Sequence, residues 1–429
     1  MKNMLDEFIG FLEKTGKKSE FELFLKIFQS TPKTKFAVIK ISGKTLEDKM
    51  DIIAENIAYL NKLGIYPTVV HGAGSILDTL LPSSKKIGGL RVTSEKDMHT
   101  VIAVYKDISE KLASKIIFYG GDAKTVADVF KAVPLEELGC VGKITGIDSG
   151  IIEDTIEHNA TPIVSPLGKF NNISLNVNAD TAAKELVKKI SPKKLLMITE
   201  TGGILDENGS IMPFINLSCG DDLAHITGGM QLKVKEIKDL LETAADCAVV
   251  ITSAEDILKE LFTISGRGTF IKNHNICSTR DKNKINRQKL KNLLESSFEK
   301  KLVDNYFDED MTEIIYEKNY EGAAIIKTVN SIPYLDKFAV SKPCQGTGLG
   351  KSIWTEVVGK YQKMILRATK DNPANSFYFR NCEGMIKKSQ WNIYWNNIGE
   401  DELFSVIEAV EEKKATMTAK KETQETQDM

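Results

Sequence analysis

The sequence has little that would support a cross-linked or metal-bound fold. Its six cysteines are scattered over 429 residues, at positions 140, 219, 247, 277, 344 and 382. None of them forms a CxxC pair or has the spacing of metal ligands, so neither a disulfide framework nor a zinc site is expected. We interpret them as ordinary thiols of a reducing compartment.

An excess of either charge is also missing. The chain has 57 lysines and arginines against 59 aspartates and glutamates, which gives a net charge of -2. Such a balance provides no field that would attract nucleic acid or an anionic membrane. Because 42% of the residues are hydrophobic and 27% are charged, the composition is that of a globular protein and not of a disordered or fibrous one.

Long uncharged apolar runs do not occur near the N-terminus. Residues 1–34 mix acidic side chains into their apolar positions, and Leu5, Phe8, Ile9 and Leu12 have helical spacing. This pattern predicts an amphipathic helical extension and not a signal or transmembrane segment. A mitochondrial leader would be rich in arginine and poor in acidic residues, so we expect a cytoplasmic protein.

The length favours two domains. Short apolar runs at 36–40, 67–70, 162–165, 195–199 and 248–251 alternate with glycine turns and helical patterns, such as the one at 46–63. This alternation predicts an α/β domain with a parallel-rich sheet between helices. From about 281 the pattern changes to charged helices and alternating strands. We therefore predict a helical extension at 1–34, a first domain at 35–271, a linker at 272–282, a second domain at 283–410 and a disordered tail at 411–429.

Three segments of the first domain have the composition of a phosphoryl-transfer site, which needs cations and backbone NH groups around the transferred phosphate. Lys40 ends a predicted buried strand and precedes a Gly43 turn, and the next predicted strand ends in His71-Gly-Ala-Gly74. Lys233 lies on a glycine-led helix. Each signal alone is weak, because most lysines at strand ends are solvated and most GxG turns are structural. Together they could place two ammonium groups around one phosphate.

Six segments give the first domain a specific resemblance. They are VIKISG (38–43), HGAG (71–74), GLRVT (89–93), SLNVNAD (174–180), TGGILDENG (201–209) and GGMQLK (228–233). In this order they resemble the amino-acid kinase family, and within it acetylglutamate kinase, over about 35–271. The sequence departs from the family where HGGG becomes HGAG and where Ser42 replaces a common glycine.

The resemblance implies a role for individual residues. It implies that Lys40 and Lys233 stabilise the transition state while Asp180 orients them. It further implies that Ala73, Gly74, Arg91 and Asn176 form a binding site for acetylglutamate. The cofactors that it implies are ATP and Mg²⁺.

The second domain contains a glycine-rich turn between a predicted strand and a helix. The spacing Gln345-x-x-Gly348-x-Gly350 resembles the acetyl-CoA signature of GNAT acetyltransferases, whose fold is α+β. Such a turn offers successive NH groups to a pyrophosphate. The residues expected to bind acetyl-CoA are Gln345, Gly346, Gly348 and Gly350.

The segments around this turn resemble the acetyltransferase domain of animal-type and fused bacterial N-acetylglutamate synthases, over about 285–405. The matching segments are residues 334–338, 366–379 and 390–391. The resemblance implies that Lys337, Arg367 and Asn372 bind glutamate and that Tyr378 is a candidate acid for the departing thiolate. The family pattern Trp-Arg-Ser-Arg is Leu-Arg-Ala-Thr here, so Thr369 stands in place of a second arginine.

Both resemblances together imply a bifunctional N-acetylglutamate synthase/kinase of arginine biosynthesis, with a homotetramer and an arginine effector as family expectations. Three alternatives stay open. The kinase domain could serve only as an arginine sensor for a synthase, or the acetyltransferase domain could have lost glutamate. The chain could also be a non-catalytic scaffold that binds arginine or acetyl-CoA.

Overall fold

The computed structural model describes residues 31–218, 228–244, 247–262 and 266–419, with only the backbone described at 228–233. The chain divides into two compact units, residues 1–273 and 274–429. The predicted helical extension falls almost wholly on residues 1–30, outside the described part of the chain.

The first unit alternates helices and strands. Its strands are β1 (Ala37–Ile41), β2 (Thr68–His71), β3 (Lys86–Ile87), β4 (Leu90–Arg91), β5 (Ala123–Val126), β6 (Phe130–Pro134), β7 (Gly142–Ile147), β8 (Thr161–Val164), β9 (Leu167–Phe170), β10 (Ile173–Asn176), β11 (Lys194–Ile198), β12 (Phe214–Asn216), β13 (Ala248–Thr252) and β14 (Thr269–Lys272). Its helices are α1 (Gly43–Lys62), α2 (Gly74–Leu80), α3 (Glu95–Phe118), α4 (Gly150–Glu157), α5 (Ala179–Ile190), α6 (Gly228–Thr243) and α7 (Ile257–Phe262).

The main sheet of this unit has eight strands in the order β12-β14-β13-β11-β1-β2-β8-β5. Strand β1 is central and pairs in parallel with β11 and β2, whereas β13 and β14 are antiparallel. Every residue of β1, β2 and β11 is buried, as expected for parallel strands covered on both faces. The predicted α/β fold class is confirmed.

Alternation along β1 distributes its side chains between two hydrophobic clusters. Ile39 and Ile41 belong to one cluster, and Val38 belongs to the other. The parallel pairing brings the carboxyl ends of β1, β2 and β11 to the same edge of the sheet, where α/β proteins bind ligands. The described residues of this unit also form two smaller sheets, β10-β9-β6-β7 and the β3-β4 hairpin.

The second unit is built on an antiparallel-rich sheet. Its strands are β15 (Ile276–Thr279), β16 (Lys300–Leu302), β17 (Glu313–Glu317), β18 (Gly322–Val329), β19 (Ile332–Val340), β20 (Met364–Thr369), β21 (Gly384–Lys387), β22 (Trp391–Asn396) and β23 (Met417–Ala419). Its helices are α8 (Arg287–Phe298), α9 (Leu349–Lys360), α10 (Asn375–Asn381) and α11 (Glu400–Glu412).

The seven-stranded sheet of this unit has the order β15-β17-β18-β19-β20-β22-β21. Strands β19 and β20 are parallel neighbours, but they pair only at Tyr334 with Ile365 and at Leu335 with Leu366. Beyond these pairs β19 continues to Val340 and β20 to Thr369 without further pairing between them. The two strands therefore separate toward their carboxyl ends.

Two predicted boundaries need correction. The predicted linker at 272–282 contains β15, which pairs with β17 as the edge strand of the second unit. The predicted tail at 411–429 is ordered in its first part, because α11 runs to Glu412 and β23 pairs with β16. The composition of this segment did not predict the strand, because a short strand can pack against the core through one apolar residue, here Met417. Residues 420–429 lie outside the described part of the chain.

Among the described residues, we find no helix that combines the length and the apolarity required to cross a lipid bilayer.

The pairing of β23 with β16 leads to a prediction about stability. Met417 packs against a cluster that includes Leu302, whereas Thr418 is exposed. We expect Met417→Asp to lower the free energy of unfolding by about 1–3 kcal/mol, because it places a carboxylate against apolar side chains. Thr418→Asp is the control and should change it by less than about 0.5 kcal/mol. Tryptophan fluorescence during urea unfolding reports on this unit, since all three tryptophans lie in it. Equal effects of the two substitutions would contradict the pairing of β23.

Candidate functional site

An ion pair joins two of the predicted catalytic residues at the carboxyl edge of the main sheet. The Nζ atom of Lys40 lies 2.7 Å from Oδ1 of Asp180, and only 8% of the lysine side chain is exposed. Asp180 lies in the first turn of α5, where the Asn178 side chain accepts hydrogen bonds from the NH groups of Asp180 and Thr181. Helix capping therefore fixes the carboxylate opposite the lysine.

The third predicted catalytic residue, Lys233, belongs to α6. Its side chain lies outside the described residues, so its role stays a prediction.

The pair borders a cavity of about 230 Å³. This cavity is lined by every residue predicted to bind acetylglutamate, namely Ala73, Gly74, Arg91 and Asn176. It is also lined by residues to which the sequence analysis assigned no role, which include Ser42, Lys86, Tyr105 and Asn178. Lys86 lies in a polar, glycine-containing segment that matches no binding motif, so its sequence context did not predict a place in the site.

Two loops approach each other closely at the floor of the cavity. A Cβ atom on Gly43 would lie 2.8 Å from the backbone nitrogen of Gly74 and 3.0 Å from the carbonyl carbon of Ala73. Only glycine fits at position 43 without movement of this backbone. The close approach brings the N-terminus of α1 next to the loop that follows β2, and residues of both line the cavity.

The two departures from the family pattern have local explanations. Ala73 has φ -137° and ψ 19°, a conformation open to an L-residue, and its methyl group is buried in the core. Ser42 caps α1, because its Oγ accepts a hydrogen bond of 3.1 Å from the NH of Thr45. Neither substitution blocks the cavity.

Arg91 is held by internal partners. It donates hydrogen bonds to the side chains of Asp78 and Ser84 and, at 3.4 Å, to the carbonyl of Gly74. Hydrogen bonds from Lys86 and then from Arg91 lower the pKa of the Asp78 carboxyl. The guanidinium is thus fixed at the cavity wall with an ionised carboxylate beside it.

A neutral histidine lies beneath the loop of residues 72–74. His71 is fully buried, its Nε2 is 2.7 Å from Oγ of Ser109, and that oxygen is 2.9 Å from Oγ of Ser165. Burial lowers the pKa of His71 to about 4. The imidazole is therefore uncharged near neutral pH, and its Nδ1 lies 3.4 Å from the carbonyl oxygen of Gly72 in this loop.

In the second unit, the predicted acetyl-CoA turn has a backbone that requires glycine. Gly346 and Gly348 have φ values of 80° and 87°, in the left-handed region that other residues rarely adopt. Gly348 is the N-cap of α9, and the Gln345 side chain donates to the carbonyl of Val340 at 3.4 Å. The turn leads directly into the N-terminus of a helix, which is suited to a pyrophosphate.

Lys337 and Arg367, two of the predicted glutamate ligands, are engaged by the chain itself. Lys337 Nζ lies 2.9 Å from Oδ2 of Asp336 and donates to Oγ1 of Thr416 at 2.6 Å. Arg367 donates to the carbonyls of Val410 at 2.6 Å and of Lys413 at 2.8 Å. In the described structure Arg367 thus binds the carboxyl end of α11.

A buried ionic cluster surrounds Lys337. Asp336 Oδ2 also accepts a hydrogen bond of 2.6 Å from the Tyr306 hydroxyl and lies 3.5 Å from Nζ of Lys327. Burial opposes ionisation of Asp336, but Lys337 and Lys327 lower its pKa. The sequence analysis missed this cluster, because a charged residue inside an apolar strand pattern is identified only once its partners are known.

Tyr378 and Asn372 also have local structural contacts. Tyr378 is 4% exposed and packs with Phe338, Trp354 and Tyr394, and burial raises its pKa. Asn372 closes a turn, because its Oδ1 accepts from the NH of Ala374 at 2.8 Å. The structure places Tyr378 in a hydrophobic core, and its predicted role as an acid stays a prediction.

Comparisons with known proteins cover both units. The model of the amino acid kinase family matches residues 35–253, and the model described as N-acetyltransferase of N-acetylglutamate synthase matches residues 276–416. Acetylglutamate kinase of Xylella fastidiosa (strain 9a5c) is 33% identical over 394 residues, 88% of this chain and 94% of that protein. Mitochondrial N-acetylglutamate synthase of Mus musculus is 26% identical over 377 residues, 84% of this chain and 69% of that protein.

A solved structure shares the fold. N-acetylglutamate synthase from Neisseria gonorrhoeae, complexed with coenzyme A and N-acetyl-glutamate, superposes with a TM-score of 0.64 at 17% identity. The match covers 90% of this chain and 99% of that one.

The close approach at Gly43 predicts an asymmetric effect of two glycine substitutions. Gly43→Ala should lower the free energy of unfolding by about 1–3 kcal/mol, because its methyl group would collide with the backbone at residues 73 and 74. A Cβ on Gly74 meets nothing within 4 Å, so Gly74→Ala should cost less than about 0.5 kcal/mol. Urea unfolding followed by circular dichroism measures both. The packing described here would be wrong if Gly74→Ala were the more damaging change.

The buried His71 predicts a pH dependence of stability. Its folded pKa of about 4 lies below the ordinary value, so between pH 6.5 and 4 the unfolded chain binds a proton that the folded chain does not. The free energy of unfolding should therefore fall as the pH decreases through this window. Between pH 7 and pH 5 the wild type should lose about 2 kcal/mol more than His71→Gln. Identical pH profiles for the two proteins in urea unfolding would refute the prediction.

Proposed function

Because the chain belongs to the acetylglutamate kinase branch of the amino acid kinase family, we propose that it is a bifunctional enzyme of arginine biosynthesis. Its first unit phosphorylates N-acetyl-L-glutamate with ATP to give N-acetylglutamyl phosphate. Its second unit acetylates L-glutamate with acetyl-CoA. The observation that carries the kinase half is the Lys40–Asp180 pair, 2.7 Å apart at the edge of the cavity.

The proposed kinase step is an in-line transfer. A carboxylate oxygen of acetylglutamate attacks the γ-phosphorus of ATP, the bond to the bridging oxygen breaks, and ADP leaves with its electron pair. Negative charge spreads over the transferred group, and the ammonium of Lys40 offsets it at close range. Asp180 holds that ammonium in place, so little reorganisation is needed when the charge develops.

The other groups of the cavity have binding roles in this proposal. Arg91 and Asn176 bind the substrate's second carboxylate and its amide, and the backbone at Ala73 and Gly74 orients it. Lys233 supplies a second cation for the leaving oxygens. No group of three His, Cys, Asp or Glu side chains that could hold a metal is found in the described part of the chain. Mg²⁺ supplied with ATP would neutralise part of the charge on the nucleotide phosphates.

For the acetyltransferase half, the glycine turn at Gly346 and Gly348 and the N-terminus of α9 bind the pyrophosphate of acetyl-CoA. The separating ends of β19 and β20 leave room for the thioester arm. The neutral amine of glutamate attacks the thioester carbonyl, and the C–S bond breaks. The thiolate takes a proton from an acid, for which Tyr378 is the candidate, while the nitrogen loses a proton to solvent and the acid regains one from solvent. Lys337, Arg367 and Asn372 are the proposed ligands of glutamate.

A specific observation supports a second candidate function, a kinase whose acetyltransferase unit no longer uses glutamate. Arg367 donates hydrogen bonds to the carbonyls of Val410 and Lys413, and Thr369 replaces the family's second arginine. A dicarboxylate site that lacks a cation binds its ligand more weakly. The opposite alternative, a synthase with an idle kinase unit, rests on the HGAG motif, whose Ala73 and Gly74 both line the cavity.

The cytoplasmic location, the homotetramer and the response to arginine are also proposals, drawn from the sequence and the resemblance. Light scattering coupled to gel filtration, with and without arginine, tests the last two.

A paired assay on one preparation tests the proposed function. Full-length protein is supplied with ATP, Mg²⁺ and acetylglutamate while ADP is measured, and separately with acetyl-CoA and glutamate while free thiol is measured. We expect both products. ADP without thiol release would establish the second candidate, and thiol release without ADP would refute the kinase half.

The role of Lys40 predicts a selective loss of turnover. Lys40→Met should lower kcat for ADP formation by about 100-fold, because it removes a donor aimed at the developing charge. Lys111→Met is the control, since Lys111 pairs with Asp107 on the exposed face of α3. It should retain the wild-type kcat, and both variants should keep the acetyltransferase rate. A Lys40→Met enzyme with wild-type kcat would exclude the assigned role.

A further inference from the structure

One carboxylate connects the cavity wall to the hairpin beside it. Asp78 lies on α2, and Lys86 Nζ is 2.8 Å from its Oδ1 and 3.0 Å from its Oδ2. The same carboxylate accepts a hydrogen bond from Nη2 of Arg91. No motif of the sequence analysis included Asp78.

The register of the hairpin explains why a carboxylate is needed there. Lys86 of β3 and Arg91 of β4 are directly opposite each other, and both line the cavity. Like charges at opposed positions of a strand pair destabilise the pairing. Asp78 lies against both cations, so it offsets their repulsion and keeps them on the same wall.

Burial makes the two cations differ in their dependence on Asp78. The Arg91 side chain is 7% exposed, whereas those of Lys86 and Asp78 are each 49% exposed. The other partners of Arg91 are neutral: the Ser84 hydroxyl and the carbonyls of Gly74 and Leu81. Without Asp78, a largely buried guanidinium would have no ionised partner among the contacts described, and its geometry would no longer be fixed by charge.

We propose that Asp78 is a positioning residue of the kinase site, which holds Lys86 and Arg91 over the cavity and thereby sets the affinity for a substrate with two carboxylates. One carboxylate reacts beside Lys40, and the other is bound by the cations that Asp78 aligns. Asp78 acts through these cations and does not contact the substrate. The inference rests on the proposed function and names the determinant of its substrate affinity.

The alternative to be tested is that Asp78 weakens the binding of acetylglutamate or only stabilises the fold. If its carboxylate competed with the substrate for Arg91, its removal would tighten binding. If it only stabilised the fold, its removal would change the affinities for both kinase substrates and the melting temperature together. The sign and the selectivity of the effect distinguish these possibilities.

The experiment uses full-length Asp78→Asn, which keeps the shape of the side chain and removes its charge. Calorimetric binding of N-acetyl-L-glutamate and steady-state kinetics are measured side by side. We expect Kd and KM for acetylglutamate to rise about tenfold, while kcat and KM for ATP stay within about twofold. Asp78→Glu, which keeps the charge, should recover most of the affinity. Asp107→Asn is the matched control, because Asp107 forms an exposed pair with Lys111 on α3.

A second variant covers the case in which Asp78→Asn fails to fold. Lys86→Gln leaves Arg91 paired with Asp78, and a smaller rise in Kd for acetylglutamate is expected. Unchanged or tighter binding in both variants, or equal losses for ATP and acetylglutamate, would overturn the inference while the kinase activity stands. Wild-type protein that neither binds nor phosphorylates acetylglutamate would instead refute the proposed function itself.

Discussion

The ion pair between Lys40 and Asp180 is the constraint on which the first site depends. An ammonium in a buried strand loses most of its hydration, and this loss is tolerated only with a charged partner at hydrogen-bond distance. Asp180 meets this requirement because Asn178 caps α5 and fixes its first turn. The central position of β1 then determines where the pair lies, at the edge where three parallel strands end.

The cavity exists because two backbones approach each other beside this pair. Gly43 allows the loop after β1 to contact residues 73 and 74, so that the start of α1 and the loop after β2 enclose one space. The hairpin with Lys86 and Arg91 forms another wall and contributes positive charge. A space bordered by cations and helix N-termini is suited to an anionic substrate and a migrating phosphate.

The sequence predicted what depends on local patterns. Buried strands such as β1 and β2 were recognisable as apolar runs bounded by glycine turns, and the resemblance to the amino-acid kinase family implied that Asp180 orients Lys40. Contacts between distant side chains were not predictable. The bridge of Asp78 to Lys86 and Arg91 depends on hairpin register, and the binding of Arg367 to the end of α11 joins positions far apart in the chain. Strand β23 was missed because composition averages over residues and one partly buried methionine has little weight.

A double-mutant cycle on kcat for ADP formation tests the central claim most directly. It compares Lys40→Met, Asp180→Asn and the double variant with the wild type. If Asp180 acts by holding Lys40, its removal should matter little once the ammonium is absent, so the double variant should lose no more than Lys40→Met alone. Losses that simply add would show that the two residues act independently, and would contradict the account.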